Sequence, residues 1–348
     1  MKKSFAAIGA SAIAALSLAA CGTNGGSSNR EHITAVGSST VLPFAKLVAE
    51  EFARSNPEYP SPIIESTGTG AGFNLFCKGV GAETPDISNA SRRMKPSEFQ
   101  TCAANGVNEI VEIKVGLDGI AFASAQGGID MNLTPEIVYR AIAERPYGQP
   151  QTAQTWSDID PSLPDTRILV YGPPETSGTF DALKELVLEV GCDANPEMAQ
   201  LKETDEDEHT AICTQVRTDG AFVKQGEQDN LIVQKIEANP QAVGIFGYSY
   251  LEENLDKVQG LSMNGVEPTF ENISSFEYLG ARPLYIYVKK AHIGAIPGLQ
   301  EFLNQWQSMW SPDGALSRIG LISTSDEERS AQAERVSSLA VLTEAELN

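Results

Sequence analysis

The chain has 348 residues and a formal net charge of −21 at pH 7, with 46 acidic residues against 25 lysines and arginines. Such an excess of negative charge repels nucleic acid and anionic lipid, so neither is an expected partner. A chain of this length is also too long for a single hydrophobic core, and two lobes are the natural expectation.

The first twenty residues predict an export signal. The positive start Lys2-Lys3 precedes an uncharged run that is too short and too weakly apolar to span a membrane. The run ends in Leu18-Ala19-Ala20-Cys21-Gly22, which resembles the bacterial lipoprotein signal, in which the cysteine is lipidated and becomes the new first residue. Ordinary cleavage after Ala20, leaving a free cysteine, is the alternative. Residues 21–32 are then a flexible tether, because glycine, serine and asparagine dominate most of this stretch.

The remaining sequence alternates short β-branched runs with amphipathic stretches, which predicts an α/β fold. The predicted strands are Ile33–Val36, one that begins at Ile63, Ile110–Val115, Ile120–Ala123, Ile168–Tyr171, Val243–Tyr248 and Leu284–Val288. The predicted helices are Leu42–Ser55, one that opens at Pro135, Thr179–Val190 with Gly191 as its end, and Leu299–Trp310. From Ser323 onward, the polar and acidic sequence predicts either a docked helix or a loose tail.

Cysteine counting agrees with export. Setting Cys21 aside leaves an even number of cysteines, which in an oxidising compartment favours two disulfides. Pairing of sequence neighbours predicts Cys77–Cys102 and Cys192–Cys213, although four cysteines allow three connectivities. A metal site is the competing interpretation. It is the weaker one, because no two cysteines have the spacing of metal ligands and the three histidines are scattered along the chain.

Small hydroxyl residues and glycines follow three predicted strands, each time just before a helix. These turns are residues 37–40 (Gly-Ser-Ser-Thr), 66–72 (Ser-Thr-Gly-Thr-Gly-Ala-Gly) and 176–179 (Thr-Ser-Gly-Thr). A helix N-terminus offers free N–H groups and partial positive charge, and hydroxyls add donors, so each turn suits an anion. One such turn alone is more simply a helix cap, but three at the carboxyl ends of strands predict an oxyanion site. None matches a dinucleotide or nucleotide fingerprint, so no cofactor is expected.

Two arginine segments are candidates for the positive charge of this site. Ser91-Arg92-Arg93 and Arg217-Thr218-Asp219-Gly220 place arginine among small polar residues, and a guanidinium matches phosphate geometry bidentately. The alternative is that these arginines are ordinary surface charges. Asp229 in the segment that follows is expected to cap a helix or to orient an arginine.

Together these segments resemble the periplasmic phosphate-binding proteins of the high-affinity phosphate ABC transporter. Residues 37–45 are similar to the opening motif of that family, and residues 67–70, 86–92 and 176–180 are similar to its later anion-contact segments, in the same order. The resemblance extends from Ile33 to Trp310, which is nearly all of the chain after the tether.

The resemblance implies a two-lobed Venus-flytrap fold, each lobe an open sheet flanked by helices. Lobe 1 would comprise residues 33–120 plus 281–348, and lobe 2 residues 121–280. The implied function is capture of inorganic phosphate between the lobes and its delivery to a membrane permease. The protein would be a monomer in the periplasm or at the outer cell surface, bound to the membrane only through lipidated Cys21. The implied phosphate contacts are Ser39, Thr40, Thr69, Ser91, Arg92, Arg217, Ser177, Gly178 and Thr179.

Two positions depart from the best-known branch of that family, which has an aspartate in place of Ser91 and an arginine in place of Pro173. That aspartate accepts the proton of hydrogen phosphate and so rejects sulfate. This chain is similar instead to a branch with Ser-Arg at that step, which makes Arg92 and Arg217 the expected cations. The proton acceptor is left open, and the candidates are Asp181, Asp219 and Asp229.

Three alternatives compete with phosphate transport. A binding protein for sulfate, molybdate or another oxyanion would have the same fold. An extracellular phosphatase would need a two-metal clamp or an activated nucleophile, and no hydroxyl in the sequence has an identifiable base partner. An adhesin or a signalling receptor could use the same fold without transport.

Overall fold

The computed structural model describes residues 30–226 and 229–347. The predicted export signal, Cys21 and most of the predicted tether lie outside these described residues. Within them, no helix combines the length and the apolar character that crossing a bilayer requires.

Strands and helices alternate along the described chain. The strands are β1 Thr34–Gly37, β2 Ile63–Ser66, β3 Ile87–Ala90, β4 Ile110–Ala125, β5 Val170–Gly172, β6 Phe222–Lys224, β7 Val243–Gly247, β8 Val258–Gly260 and β9 Ala281–Lys289. The helices are α1 Leu42–Ser55, α2 Thr69–Phe76, α3 Pro96–Ala104, α4 Pro135–Ile142, α5 Trp156–Ile159, α6 Gly178–Leu183, α7 Glu189–Asp193, α8 Pro196–Thr204, α9 Glu206–Cys213, α10 Asp229–Ala238, α11 Tyr248–Glu253, α12 Phe270–Ser274, α13 Leu299–Met309 and α14 Asp326–Ser338.

The strands build two sheets that share β4. In the first sheet the order is β2-β1-β3-β9-β4, with β1 parallel to both β2 and β3, and β9 antiparallel to β3 and β4. In the second sheet β4 is antiparallel to β7 and β8, and β5 lies parallel between β7 and β6. The exchange of partners is abrupt, since Gly119 pairs with Ala281 of β9 and Ile120 pairs with Gly247 of β7.

Each sheet has its own apolar core. Phe52, Phe302 and Trp306 pack where α1 and α13 cover one face of the first sheet, and α2 and α3 cover the other face. A separate cluster that includes Phe122 and Trp156 surrounds the second sheet. This is the two-lobed α/β architecture predicted from the sequence. The lobe limits at residues 120/121 and 280/281 stay a prediction.

Helix α1 has the bounds that the sequence predicts, Leu42–Ser55. Phe44, Val48 and Phe52 recur at helical spacing and are buried, and Pro57 lies just beyond the end. The predicted late helix, Leu299–Trp310, is likewise confirmed as α13, in which Trp310 is the residue that caps the end. The acidic tail docks: α14 buries Val336 against the core of the first sheet.

Two expectations are wrong in instructive ways. The predicted strands Ile110–Val115 and Ile120–Ala123 are one strand, β4, because the intervening glycines stay in the sheet with only a register shift between Lys114 and Gly116. Gly191 does not end its helix, since α6 continues through a π-helical turn, Lys184–Leu188, into α7. A Cβ at position 191 would lie 2.2 Å from the carbonyl oxygen of Pro135, so this glycine allows close packing against α4.

Candidate functional site

The turn after β1 begins with a glycine that no other residue could replace easily. Gly37 has φ +132°, and a Cβ there would lie 2.1 Å from the carbonyl oxygen of Asn89 in β3. The backbone N–H of Ser38 donates to that same oxygen at 2.9 Å, which fixes the turn to the neighbouring strand. The turn therefore presents Ser39 and Thr40 beyond the carboxyl end of β1, where a ligand of an open sheet binds.

The turn after β2 packs directly on this first turn. The backbone N–H groups of Thr67 and Gly68 both donate to the carbonyl oxygen of Gly37 at 2.9 Å. Helix α2 then starts at Thr69, whose hydroxyl lies 3.1 Å from the hydroxyl of Ser91 and accepts from the Ser91 N–H at 3.2 Å. Three segments of the first sheet thus gather their small polar residues at one edge.

The third turn, after β5, faces the first turn from the second sheet. Ser177 caps the start of α6, and its hydroxyl accepts from the N–H of Thr179 at 3.1 Å. A Cβ at Gly178 would lie 2.9 Å from the Cα of Thr40, so the two backbones meet closely only because this residue is glycine. The cavity beside this contact has a volume of about 200 Å³, and its lining includes Thr40, Ser177, Gly178 and Thr179.

A buried arginine that the sequence analysis did not single out lies at this junction. Arg282 of β9 is only 3% exposed, and it donates to the Thr40 hydroxyl at 2.6 Å. Its other nitrogens donate to Asp118 at 3.2 Å and to Glu185 at 2.5 Å. Burial raises the pKa of the Asp118 carboxyl, while the charge of Arg282 acts in the opposite direction. Arg282 therefore links β9, the shared strand β4, the first hydroxyl turn and the helix that follows the third turn.

Comparison with known proteins identifies the family. The family described as the PBP superfamily domain matches residues 22–306. The phosphate-binding protein PstS of Staphylococcus saprophyticus is 30% identical over 305 residues, which are 85% of this chain and 82% of that protein. The chain belongs to the PstS family. The protein SphX of Synechococcus elongatus is similarly related, with 31% identity over 280 residues that cover 77% of this chain and 72% of that one.

Solved structures agree with this PstS-family assignment. A crystal structure described as a possible phosphate binding protein from Planctomyces limnophilus superposes with a TM-score of 0.70 at 27% identity, covering 88% of this chain and 98% of that one. PstS from Borrelia burgdorferi shares the fold, with a TM-score of 0.56 at 20% identity, covering 85% of this chain and 100% of that chain.

The two predicted arginines of this PstS-family chain have other partners. Arg92 makes a two-pronged ion pair with Glu98, at 2.7 Å and 2.9 Å, and its guanidinium lies 5.5 Å from the ring centre of Phe73. Arg217 is 2% exposed, and its three nitrogens donate to both oxygens of Asp219 and to the carbonyl oxygens of Ala141 and Ala153. Arg217 thus braces the backbone of the second lobe, and these contacts do not join it to the hydroxyl turns.

The three aspartates that the sequence offers as proton acceptors are also separated. Asp219 pairs with Arg217, whose guanidinium lowers the pKa of that carboxyl. Asp229 lines the cavity and accepts from the Gly247 N–H at 3.0 Å. Asp181 accepts a hydrogen bond from the Ser39 hydroxyl across the two lobes. Of the three aspartates, Asp181 is the one seen bonded to a residue of the hydroxyl turns.

Both predicted disulfides are confirmed, Cys77–Cys102 beside α2 and α3 and Cys192–Cys213 between α7 and α9. The second lies next to His209, so that one ligand atom of each of Cys192, His209 and Cys213 falls within 4.8 Å of the others. Both sulfurs are committed to the covalent bond, and His209 pairs with Asp193 at 2.7 Å. The cluster is thus a disulfide beside a hydrogen-bonded histidine–aspartate pair.

Proposed function

We propose that this chain captures inorganic phosphate between its two lobes and delivers it to an ABC permease, without catalysing a reaction. The observation that carries the proposal is the contact of Gly178 with Thr40, which brings two hydroxyl turns from separate sheets to one cavity. Donors from both lobes can then surround one small anion. PstS of Staphylococcus saprophyticus and the protein from Planctomyces limnophilus are named for binding phosphate, which favours this ligand over other oxyanions.

The proposed contacts are Ser39, Thr40, Thr69, Ser91, Arg92, Ser177, Gly178 and Thr179, with Arg282 in place of Arg217. The exchange is made because Arg282 donates to Thr40, which lines the cavity, whereas the partners of Arg217 are Asp219, Ala141 and Ala153, which lie outside the hydroxyl turns. Because Arg282 is itself paired with Asp118 and Glu185, an anion would be held by the local hydroxyl and backbone N–H donors of the turns rather than by a net positive charge. We further propose that the protein acts outside the cytoplasm, held by lipidated Cys21.

Calorimetric titration of the purified protein with phosphate, sulfate and molybdate tests the proposal. Phosphate should bind saturably at one site, and Thr40→Val should weaken it about tenfold to a hundredfold, because an oxygen of the anion loses its hydroxyl donor in a closed site. Thr101→Val is the matched control, since Thr101 is exposed on α3 and bonds only locally.

Failure to bind phosphate by a folded protein would contradict the proposal. Tighter binding of sulfate or molybdate would assign the site to another oxyanion. Sustained release of phosphate from p-nitrophenyl phosphate would instead indicate the phosphatase.

A further inference from the structure

Two adjacent hydroxyls at the junction of the lobes have partners of opposite character. The Thr40 hydroxyl is bonded to the guanidinium of Arg282 at 2.6 Å, and the Ser39 hydroxyl is bonded to a carboxylate oxygen of Asp181. A guanidinium has only protons to donate, and an ionised carboxylate has only lone pairs to offer. The two partners therefore fix in which direction each hydroxyl can bond a third group.

For Thr40, the bond from Arg282 uses a lone pair of the hydroxyl oxygen. The hydroxyl proton is then available to an acceptor in the cavity that Thr40 lines. Arg282 is itself immobilised by Asp118 and Glu185, and both Arg282 and Thr40 are at most 4% exposed. Thr40 is thus set as a donor, which suits an unprotonated oxygen of an oxyanion.

For Ser39, the bond to Asp181 uses the hydroxyl proton. What the Ser39 oxygen still offers is lone pairs, which suit a ligand that brings a proton of its own. Lys184 lies 2.7 Å from the other oxygen of Asp181, so both carboxylate oxygens are engaged as acceptors. Ser39 lies in the turn after β1 of the first sheet, and Asp181 lies in α6, after β5 of the second sheet. The hydrogen bond between them therefore forms only when the two lobes are in contact.

We propose that the pairs Ser39–Asp181 and Thr40–Arg282 make the site selective for a singly protonated tetrahedral dianion. Ser39 would accept the hydrogen bond of the acidic O–H group, and Thr40 would donate to an unprotonated oxygen. No proton is transferred in this scheme, because the ligand keeps its O–H proton and Ser39 keeps its hydroxyl proton. Sulfate carries no proton at neutral pH, so it could not donate to Ser39. The lone pairs of a sulfate oxygen and of the Ser39 oxygen would instead repel each other. The inference rests on the proposed phosphate binding and assigns its selectivity to Asp181 acting through Ser39.

Monofluorophosphate is the sharpest probe, because it has the shape and charge of hydrogen phosphate but carries fluorine in place of the O–H group. The wild type should prefer phosphate over monofluorophosphate and over sulfate by about tenfold to a hundredfold, the usual effect of one mismatched buried hydrogen bond. In Asp181→Asn the amide can donate to the Ser39 oxygen, which frees the Ser39 proton to point at the ligand. Both ratios of dissociation constants should therefore fall by about tenfold.

Glu189→Gln is the matched control, because it removes the same charge from the continuous helix but Glu189 pairs with Lys202, away from Ser39. Ser39→Ala is the second test variant, which removes the lone pairs directly and should collapse the same ratios. The inference would be overturned if the ratios of dissociation constants in Asp181→Asn and Ser39→Ala stayed at the wild-type value. It would also be overturned if both variants lost affinity for phosphate, monofluorophosphate and sulfate to the same extent. A wild type that binds no phosphate would instead refute the proposed function.

Discussion

The substitution Arg282→Met removes the one side chain that joins Thr40, Asp118 and Glu185. Glu185 has a half-exposed side chain, so its pair with Arg282 contributes about 0–1 kcal/mol. The side chain of Asp118 is only 14% exposed, and an unpaired carboxylate of this kind destabilises a protein by about 3–5 kcal/mol. We therefore expect the free energy of unfolding to fall by about 3–5 kcal/mol, nearly all of it through Asp118.

The assay is urea denaturation at pH 7, followed by tryptophan fluorescence, with wild type, Arg282→Met, Asp118→Asn and the double variant as a cycle. The double variant should be clearly more stable than Arg282→Met, because it no longer buries an unpaired charge.

The destabilisation by Arg282→Met should also depend on pH, with a definite sign. Burial raises the pKa of Asp118 in the folded protein, so the cost of the charged form is present at pH 7 and disappears as the pH falls below the pKa. Arg282→Met should thus be less destabilised at pH 5 than at pH 7. A loss below about 1 kcal/mol, or a double variant as unstable as the single one, would refute this reasoning.

Two further predictions concern the anchor and a buried lysine. Cys21→Ser should shift the protein from the membrane fraction to the soluble fraction after cell fractionation, and a variant that remains in the membrane fraction would contradict the lipid anchor. Burial lowers the pKa of Lys289 to about 8, while its Nζ donates to Thr84 at 2.7 Å. Between that value and the ordinary lysine pKa, the unfolded chain binds more protons, so the stability contributed by Lys289 rises with pH. Wild type should therefore gain up to about 3 kcal/mol over Lys289→Met between pH 7 and pH 10, measured by urea denaturation, and parallel pH profiles would speak against it.

Local signals in the sequence were sufficient for the elements that frame the site. Helix α1 has a buried stripe at helical spacing and a proline beyond its end, so its bounds follow from a few neighbouring residues. The glycines and hydroxyls of the three turns are readable in the same way, since a strand, a turn and a helix follow each other directly in sequence. The short strand β3 was not predicted, because its residues Ser88 and Asn89 are polar and its strand character comes from pairing with β1 and β9.

Contacts between residues far apart in sequence could not be predicted from local motifs. Arg282 stands at the start of an apolar strand, and nothing nearby in sequence distinguishes it from a surface charge. Its importance comes from Thr40, 242 positions away, and from Asp118 and Glu185. Arg217 shows the converse, because a promising local setting of small polar residues turned out to supply a partner, Asp219, for a structural brace. Burial and partners that are distant in sequence determine which arginine contacts the candidate site, and a local motif contains information on neither.

The paired strands β4 and β9 run side by side up to Gly119 and Ala281, where β4 passes into the second sheet. Two hydrogen-bonded strands flex out of their common plane more readily than they slide along each other, because sliding would break the ladder of bonds between them. Opening and closing of the two lobes would then be a rotation about a single hinge axis. Closure about this hinge would return Gly178 to the same contact with Thr40, and the hinge would thus align the hydroxyls before an anion binds.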